Sequence, residues 1–190
     1  TYGTSIDNDF YISKYYQNGL VSQFSVEAKD IHLGEFELSI PGYHNAKNAL
    51  SAISLLLEFG ISFDKIKRTL KEFYGTKRRI EIVGKMEAGA LIVDDYAHHP
   101  QEIKTTLSAI KTAYPKKNII CIFQPHTYSR TKALFYDFVS SFADAYFIVM
   151  LPIYASLRER NSASFSSEKF IDEFRKINKP CLFLNSHQSV

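Results

Sequence analysis

Two short stretches of the chain place polar and ionisable side chains directly after apolar runs. In "IVDDYAHHP" the apolar run is followed by two aspartates and two histidines, Asp94, Asp95, His98 and His99. In "NIICIFQPHTYSRT" the polar stretch occupies residues 125 to 131. A strand that ends in a solvated loop needs only turn residues, whereas a site for anions needs fixed donors at the carboxyl edge of a sheet. The two stretches therefore indicate either solvated turns or a site for an anionic ligand.

The residues of "IVDDYAHHP" also have ordinary structural interpretations. Asp94 or Asp95 can cap a turn or a helix, and the two histidines can precede the helix that Pro100 begins without binding a ligand. For any single residue, the two interpretations are about evenly balanced. Four ionisable groups at the end of one strand favour a site, because parallel α/β folds bind ligands there. Since both stretches follow strands of one predicted series, we expect them at the same edge of the sheet.

Two further polar groups are candidates for ligand binding. In "HNAKN", Asn45 and Asn48 lie three residues apart at the start of a predicted helix, where two side-chain amides can present a donor and an acceptor to one planar heterocycle. Helix capping alone explains Asn45 but leaves Asn48 unexplained. The segment "KRRIE" contains three cations, and arginine can fork onto phosphate oxygens. A solvated basic linker is the alternative for this segment.

The residues before about position 76 predict antiparallel strands followed by two helices. Alternating pieces between residues 10 and 40, such as "SQFSVEA" and "GEFELSI", are typical of antiparallel strands. The segment "AKNALSAISLLLEFG" has apolar residues at helical spacing and stops at Gly60. A second, amphipathic helix, "SFDKIKRTLKEF", begins with Ser62 as its N-cap. A few strands and two helices bury little by themselves, so we expect this part to be incomplete.

From "YGTKRRIEIVGK" onward, predicted strands and helices alternate. The series is "ALIVDDY", "PQEIKTTLSAIKTAY", "NIICIF", "TKALFYDFVSSFADA", "YFIVMLP", "SSEKFIDEFRKI" and "PCLFL". Such a βα alternation predicts a parallel sheet with right-handed crossovers and helices on its faces. The sequence therefore predicts an α/β chain of two unlike parts, joined near residues 75 to 80.

Composition and charge argue against several functional classes. The 190 residues carry 23 Lys and Arg against 20 Asp and Glu, a net charge of +3 without a run of like charge. This pattern differs from the basic stripe of a nucleic-acid binder, so we expect no nucleic-acid partner. No stretch approaches the ~20 apolar residues of a membrane span, and the first residues lack a charged and apolar leader. We therefore expect a cytoplasmic protein with no membrane partner.

The cysteines and the glycine-rich motifs bear on which metal, disulfide or phosphate sites the chain can contain. Cys121 and Cys181 lie in apolar runs without the spacing of a metal site or a disulfide framework, so we expect buried core thiols. The sequence contains neither a G-x-x-x-x-G-K-[ST] loop nor a G-x-G-x-x-G motif. By itself the chain therefore has no recognised phosphate cradle.

The order of these motifs along nearly the whole chain resembles the ATP-dependent Mur ligases of bacterial cell-wall synthesis. The segments that carry the resemblance include "IPGYHNAKNALSAISLLLEFGI", "TKRRIEIVG", "VDDYAHHPQEI", "FQPHTYSRTKALF" and "LPIYAS". "HNxxNA" and the acidic strand end followed by "H-x-P" are shared widely in that family. "DDYAHHP" together with "FQPHTYSRT" resembles the branch that adds L-alanine to UDP-N-acetylmuramate.

The resemblance implies a domain map and a fold. Residues 1–76 correspond to the C-terminal part of the family's central ATPase domain, with antiparallel strands and two helices. Residues 77–190 correspond to its Rossmann-like C-terminal domain, with a mainly parallel sheet and truncated at the end. The phosphate loop and the Mg²⁺ ligands of the family would lie upstream of Thr1, so no metal ligand is expected within this chain. We expect the isolated chain to be inactive as a ligase.

The resemblance also assigns roles to individual residues. Four residues match nucleotide-binding positions: Asn45 and Asn48 at the adenine, Arg79 at the domain junction and Asp95 at the ribose. His98 matches a catalytic histidine near the γ-phosphate of ATP. The substrate-binding positions are His126, Tyr128 and Arg130, and Arg130 is also assigned a catalytic part because it would hold the carboxylate of the amino acid. No role follows for Thr127 or for residues 157 to 165.

The reaction that the resemblance implies joins L-alanine to UDP-N-acetylmuramate in peptidoglycan synthesis. The substrate carboxylate is phosphorylated by ATP, and the amine of L-alanine then displaces phosphate from the acyl phosphate. Two other ligases stay open as alternatives, a recycling enzyme that joins muramate to a tripeptide and a folylpolyglutamate synthetase. A nucleotide- or peptide-binding α/β module without catalysis is an alternative of another class.

Overall fold

The computed structural model describes residues 1–29, 31–155 and 165–185, which form two compact units. The first unit contains Thr1–Tyr96 and Ser108–Pro115. The second contains Ala97–Leu107 and the residues from Lys116 onward. The division passes through one helix, α3, which spans Pro100–Ala113. Residues 157 to 164 of the segment "LRERNSASF", for which the sequence gives no role, lie outside the described residues.

The first unit is built on a four-stranded sheet in the order β1-β2-β3-β4. Neighbouring strands from β2 to β4 are antiparallel, as their alternating sequences predict, and β1 lies parallel to β2. One face of the sheet carries the core side chains Phe24, Val26, Phe36 and Leu38. The strands span Tyr2–Gly3, Phe10–Asn18, Val21–Ala28 and Ile31–Leu38.

Two helices follow this sheet at the positions that periodicity predicts. Helix α1 spans Tyr43–Glu58 and α2 spans Phe63–Lys71. Leu50 and Ile53 of α1 are fully buried in the same core cluster as the sheet side chains. Gly60 follows the end of α1 with a φ of +75°, so the expected glycine stop is confirmed. The helix therefore covers the sheet through its apolar stripe.

The next two strands form a hairpin of their own, which corrects the sequence prediction. Strand β5 spans Glu81–Lys85 and β6 spans Leu91–Asp94, and they pair antiparallel. The turn between them closes through the Met86 N–H donating to the Ala90 carbonyl at 2.8 Å, with Gly89 at φ +86°. A short connection with a left-handed glycine favours a hairpin over a crossover. The expectation that β6 opens the parallel series was wrong.

The second unit contains a three-stranded parallel sheet in the order β7-β8-β9, which confirms the parallel part of the prediction. The strands span Ile120–Phe123, Phe147–Met150 and Cys181–Phe183. Because β6 and β7 belong to different sheets, the two polar stretches do not follow strands of one sheet. The expectation of a shared sheet edge was therefore also wrong.

Helices and aromatic side chains complete the second unit. Besides the first part of α3, it contains α4 (Tyr128–Ala133), α5 (Phe135–Ser141) and α6 (Glu168–Lys176). The expected single helix "TKALFYDFVSSFADA" is divided at Leu134 into α4 and α5. The core is rich in phenylalanine, with Phe138, Phe170 and Phe174 fully buried.

The two cysteines are half-buried at the edge of the core, whereas their apolar sequence context predicted buried core thiols. Both are free, and both pack against the core of the second unit from the parallel sheet. Burial raises the pKa of the Cys121 thiol to about 12 and also raises that of Cys181.

Among the described residues, no helix has the length and apolar character needed to cross a membrane.

Candidate functional site

The start of helix α1 is held in a conformation that only glycine accommodates well. Gly42 precedes the helix with a φ of +102° and ψ of 131°, and its N–H donates to the side-chain oxygen of Gln17 at 3.0 Å. A Cβ at this position would lie 2.5 Å from Cε1 of the His44 ring. The glycine therefore lets the backbone approach the imidazole closely at the start of the helix.

The two asparagines of "HNAKN" differ in their surroundings. The Asn45 side-chain amide donates to the Pro41 carbonyl at 2.7 Å, which fixes its orientation at the start of the helix. Asn48 is exposed one turn further along. The bond to Pro41 uses one of the two N–H donors of Asn45. The N-cap of α1 is Gly42 and no side chain caps the helix, so the capping interpretation of Asn45 was wrong. The role of both asparagines at an adenine stays a prediction.

His44 is a candidate that sequence reasoning did not single out. Its ring is partly buried, and Nδ1 has no hydrogen-bond partner in the part of the chain that the structure describes. Burial is the main reason that its pKa is lowered, opposed by the charge of Asp95 and reinforced by Lys47 and Arg79. The structure therefore brings His44 near Arg79 and Asp95, two residues predicted to bind nucleotide. The signal in the sequence was its place beside Asn45.

The residues of "KRRI" form a turn against the end of strand β6. Arg78 and Ile80 both have positive φ angles, +58° and +50°. The Ile80 N–H donates to the Asp95 carboxylate at 2.9 Å, and the Tyr96 N–H donates to the Arg78 carbonyl at 2.8 Å. The Arg78 guanidinium lies over the Tyr96 ring, 4.5 Å from its centre. Arg79 lies between these two anchored residues with its side chain exposed.

The pair of histidines precedes helix α3 in the second unit. The backbone N–H groups of His98 and His99 donate to the Glu102 carboxylate at 3.0 and 3.1 Å. The Nδ1 atom of His98 lies 3.5 Å from the same carboxylate. Glu102 thereby satisfies donors at the helix start, as in a capping box. Pro100 is the first residue of the helix, as predicted, and the catalytic role of His98 stays a prediction.

The stretch "PHTYSRT" is attached to the segment that follows strand β8. The Thr127 N–H donates to the Tyr154 carbonyl at 2.9 Å, and the Tyr154 N–H donates to the Pro125 carbonyl at 2.8 Å. The rings of His126 and Tyr154 stack with centres 5.1 Å apart and planes 19° apart. Helix α4 begins at Tyr128, directly after this bridge. The loop that carries His126 and Tyr128 is therefore fixed at both its backbone and its ring.

Arg130 lies on the first turn of α4 and is partly buried. Its Nη1 atom is buried and has no hydrogen-bond partner in the described ranges of the chain. A buried donor on a cation is costly unless a partner satisfies it. A carboxylate or phosphate is the partner that a guanidinium fork fits best. The arrangement therefore favours an anionic ligand at Arg130.

The predicted site residues fall into two sets. Asn45, Asn48, Arg79 and Asp95 belong to the first unit, and His98, His126, Tyr128 and Arg130 belong to the second. Within the described ranges, no group of three or more His, Cys, Asp or Glu side chains could hold a metal ion. The first set can position a neutral heterocycle and a phosphate chain, and the second can position a carboxylate.

Comparison with known proteins gives consistent matches along the chain. Residues 78–188 match the family model described as "Mur ligase, glutamate ligase domain". The UDP-N-acetylmuramate–L-alanine ligase of Caldanaerobacter subterraneus subsp. tengcongensis is 44% identical over all of this chain, which covers 41% of that protein.

Two solved structures have folds similar to that of this chain. The UDP-N-acetylmuramate-alanine ligase MurC of Thermotoga maritima matches with a TM-score of 0.82 and 25% identity, over 97% of this chain and 39% of its own. A folylpolyglutamate synthase of Thermotoga maritima matches with a TM-score of 0.65 and 18% identity, over 95% of this chain and 40% of its own. The second match shows a shared fold alone. The chain spans about two fifths of the length of the curated relative described above.

Proposed function

The chain belongs to the Mur ligase family, and we propose that it is part of an ATP-dependent ligase that joins L-alanine to UDP-N-acetylmuramate in peptidoglycan synthesis. Support comes from the relative at 44% identity, whose name states this activity, and from the similar fold of the Thermotoga maritima ligase. The substrates are small molecules, and the proposed location is the bacterial cytoplasm, where ATP is available. The domain boundary near residue 76 is part of the same proposal.

The observation that carries the proposal is the buried Nη1 of Arg130 without a hydrogen-bond partner in the described residues. The loop before it is fixed by the paired backbones of Thr127 and Tyr154 and by the stacked ring of His126. A guanidinium held in this way can form a bidentate pair with the carboxylate of L-alanine. His126 and Tyr128 would line the same substrate end.

The nucleotide is assigned to residues of the first unit. Asn45, with its amide fixed by Pro41, and Asn48 would contact the adenine, and Asp95 would contact the ribose. Arg79 would offset charge on the phosphates. His44, with a buried nitrogen that lacks a partner in the described part, fits the same nucleotide end. No group of three or more His, Cys, Asp or Glu side chains among the described residues could hold a metal ion, so we assign no Mg²⁺ ligand to them.

The proposed reaction has two steps. A carboxylate oxygen of UDP-N-acetylmuramate forms a bond to the γ-phosphorus of ATP, and the bond to ADP breaks. The amine of L-alanine, after losing a proton, then attacks the acyl carbon, and phosphate leaves through a tetrahedral intermediate. Arg79 and His98 would offset charge in the first step, and Arg130 would orient the incoming amino acid in the second.

The test is a substrate-resolved assay of the full-length protein. We expect release of phosphate from ATP only when both UDP-N-acetylmuramate and L-alanine are present, with a product whose mass equals their sum less water. Omitting either substrate is the matched control. The 190-residue chain alone should release none, because it contains no recognised phosphate loop. Full-length protein that fails to form the alanine product would refute the proposal.

The same assay distinguishes the alternatives. Turnover with UDP-N-acetylmuramate and a tripeptide, but not with L-alanine, would indicate the recycling ligase. Turnover with a folate and L-glutamate would indicate a folylpolyglutamate synthetase, whose fold is shared at 18% identity. Nucleotide binding without turnover of any of these substrates would indicate a non-catalytic module.

A further inference from the structure

The turn that carries Arg79 has an unusual backbone. Arg78 and Ile80 on either side of it have φ angles of +58° and +50°. A positive φ is uncommon for residues other than glycine, and it is a clear outlier for a β-branched residue such as isoleucine. A backbone in such a region persists only where surrounding contacts hold it. The contacts that hold this turn therefore decide where Arg79 is presented.

Each flanking residue has identifiable partners within the first unit. Ile80 is held by its N–H bond to the Asp95 carboxylate at 2.9 Å. Arg78 donates its N–H to the Glu81 carboxylate at 2.7 Å, and its carbonyl accepts the Tyr96 N–H at 2.8 Å. The Arg78 side chain covers the Tyr96 ring and lies 3.5 Å from Asp94. The positive φ of Ile80 is therefore held by a side-chain carboxylate, whereas that of Arg78 is held by a backbone hydrogen bond and a ring contact as well.

We propose that Asp95 is a positioning residue, which holds Ile80 in its left-handed conformation and so directs Arg79 toward the nucleotide. This inference rests on the proposed function for the role of Arg79, but the hydrogen bond itself does not. It adds to the ribose contact proposed above, because here the carboxylate acts through the backbone of residue 80. Loss of the carboxylate would let Ile80 return to a negative φ, and the direction of Arg79 would change with it.

The first experiment tests the hydrogen bond from Ile80 to Asp95 and needs no activity assay. In the 190-residue chain, the exchange rate of the Ile80 amide hydrogen is measured by NMR for wild type, Asp95→Ala and Asp95→Asn. Asp95→Ala should raise that rate by about tenfold, as expected for a net hydrogen bond of ordinary strength. Asp95→Asn keeps an oxygen acceptor and should stay near wild type. The amide of Ile148, in the core of the second unit, is the internal control.

The second experiment asks whether the position of the backbone is what matters. In full-length protein, Asp95→Ala should raise KM for ATP, and Ile80→Gly added to it should restore at least half of the lost affinity. Glycine adopts a positive φ without strain, so the turn no longer needs the carboxylate. Ile82→Gly in the same background is the matched control, because it makes the same change two residues away in strand β5 and should restore nothing.

The outcomes separate this inference from the proposed function. Unchanged exchange at residue 80 in Asp95→Ala would overturn the positioning role whether or not the protein is a ligase. Faster exchange together with no recovery by Ile80→Gly in an active ligase would show that Asp95 acts by direct contact, and would also overturn it. Failure of the proposed function would instead appear in wild-type protein, as absence of alanine ligation.

Discussion

Two side chains of the first unit, Asn45 and Asp95, bond to the backbone, whereas Arg130 of the second unit has a buried nitrogen without a partner in the described residues. Asn45 donates to the Pro41 carbonyl, and Asp95 accepts from the Ile80 N–H. The Nη1 atom of Arg130 is buried and has no partner in the part of the chain that the structure describes. The bonds of Asn45 and Asp95 therefore shape the backbone in the protein without ligand, and a bound anion would satisfy the buried Nη1 atom of Arg130.

This difference predicts two kinds of response to substitution. A change in the first set should alter the local backbone, and its effect should be visible in the protein without ligand. A change at Arg130 should leave the fold nearly intact and should appear when substrate binds or reacts. In the proposed ligase, the first unit would hold the nucleotide on a preformed surface, and the second would hold the amino acid by charge.

The largest effect should come from the core of the second unit, on which the position of Arg130 depends. Phe170 is fully buried, so Phe170→Ala should lower the free energy of unfolding by about 3 to 5 kcal/mol through lost contacts and a cavity. Urea unfolding followed by circular dichroism and by amide signals of each unit would measure it. Ile177→Ala, at a side chain 58% exposed, is the control and should change little.

Retained stability in Phe170→Ala would mean that the aromatic cluster does not hold the second unit together. The comparison also predicts that amide signals of Leu50 and Ile53 keep their protection in this variant, because those residues belong to a separate core cluster. Loss of protection in both clusters at the same urea concentration would show that the two cores unfold as one.

The next largest effect concerns Arg130 in the full-length protein. Arg130→Ala should lower kcat/KM for L-alanine. The expected loss of transition-state stabilisation is about 2 to 5 kcal/mol, which is typical when one partner of a buried pair is removed. Arg130→Lys should recover only part of this, because a point charge cannot reproduce the bidentate fork. KM for ATP should move little. Steady-state kinetics with alanine and ATP varied separately would measure both constants.

Lys132→Ala is the matched control for Arg130, since it removes an exposed cation from the same helix. It should leave alanine kinetics unchanged. If Arg130→Ala behaved like this control, the buried nitrogen would have no part in substrate binding. The second unit would then not hold the amino acid through Arg130.

Local patterns in the sequence predicted most of the elements. The antiparallel strands, helices α1 and α2 and the parallel strands of the second unit all follow from periodicity and from stops such as Gly60. The pairing of β6 with β5 was missed, because it depends on which of two possible partners a strand selects. The sequence of a short apolar strand does not indicate which strand it pairs with. The glycine at position 89, in the turn between β5 and β6, was the one local signal that favoured a hairpin.

The candidate site could be predicted in composition but not in its bonding. The sequence indicated Asp95 and Arg130 as site residues, because each lies in a polar stretch after an apolar strand. It could not show that Asp95 bonds to Ile80, fifteen residues away, or that Nη1 of Arg130 is buried without a partner in the described residues. Both facts depend on side-chain packing, which residue types and spacing do not determine.

A smaller effect should follow from the glycine at the start of α1. Gly42→Ala should lower the free energy of unfolding of the first unit by about 1 to 3 kcal/mol, because φ is +102° and the new Cβ would meet the His44 ring. Gly19→Ala is the control, since Gly19 also has a positive φ, +57°, but no atom lies within 4 Å of its would-be Cβ. Urea unfolding of both variants separates strain from collision. Equal losses in the two variants would remove the role of the close approach to His44.

The smallest expected effect is a pH dependence that belongs to the first unit. Burial lowers the pKa of His44 below its ordinary value of 6.5, although the nearby charge of Asp95 acts in the opposite direction. The unfolded chain then binds a proton at this histidine more readily than the folded chain, so stability is full above pH 6.5 and falls as the pH drops below it. His44→Gln removes this ionisable side chain, so the variant should lose less stability than wild type between about pH 7 and pH 5. Urea unfolding at each pH, followed through the amide signals of Leu50 and Ile53, measures the difference, with each protein referred to its own stability at about pH 8. A wild type and a variant that lose stability in parallel would show that His44 is not held neutral by burial, and the preformed character of the first unit would then rest on its backbone bonds alone.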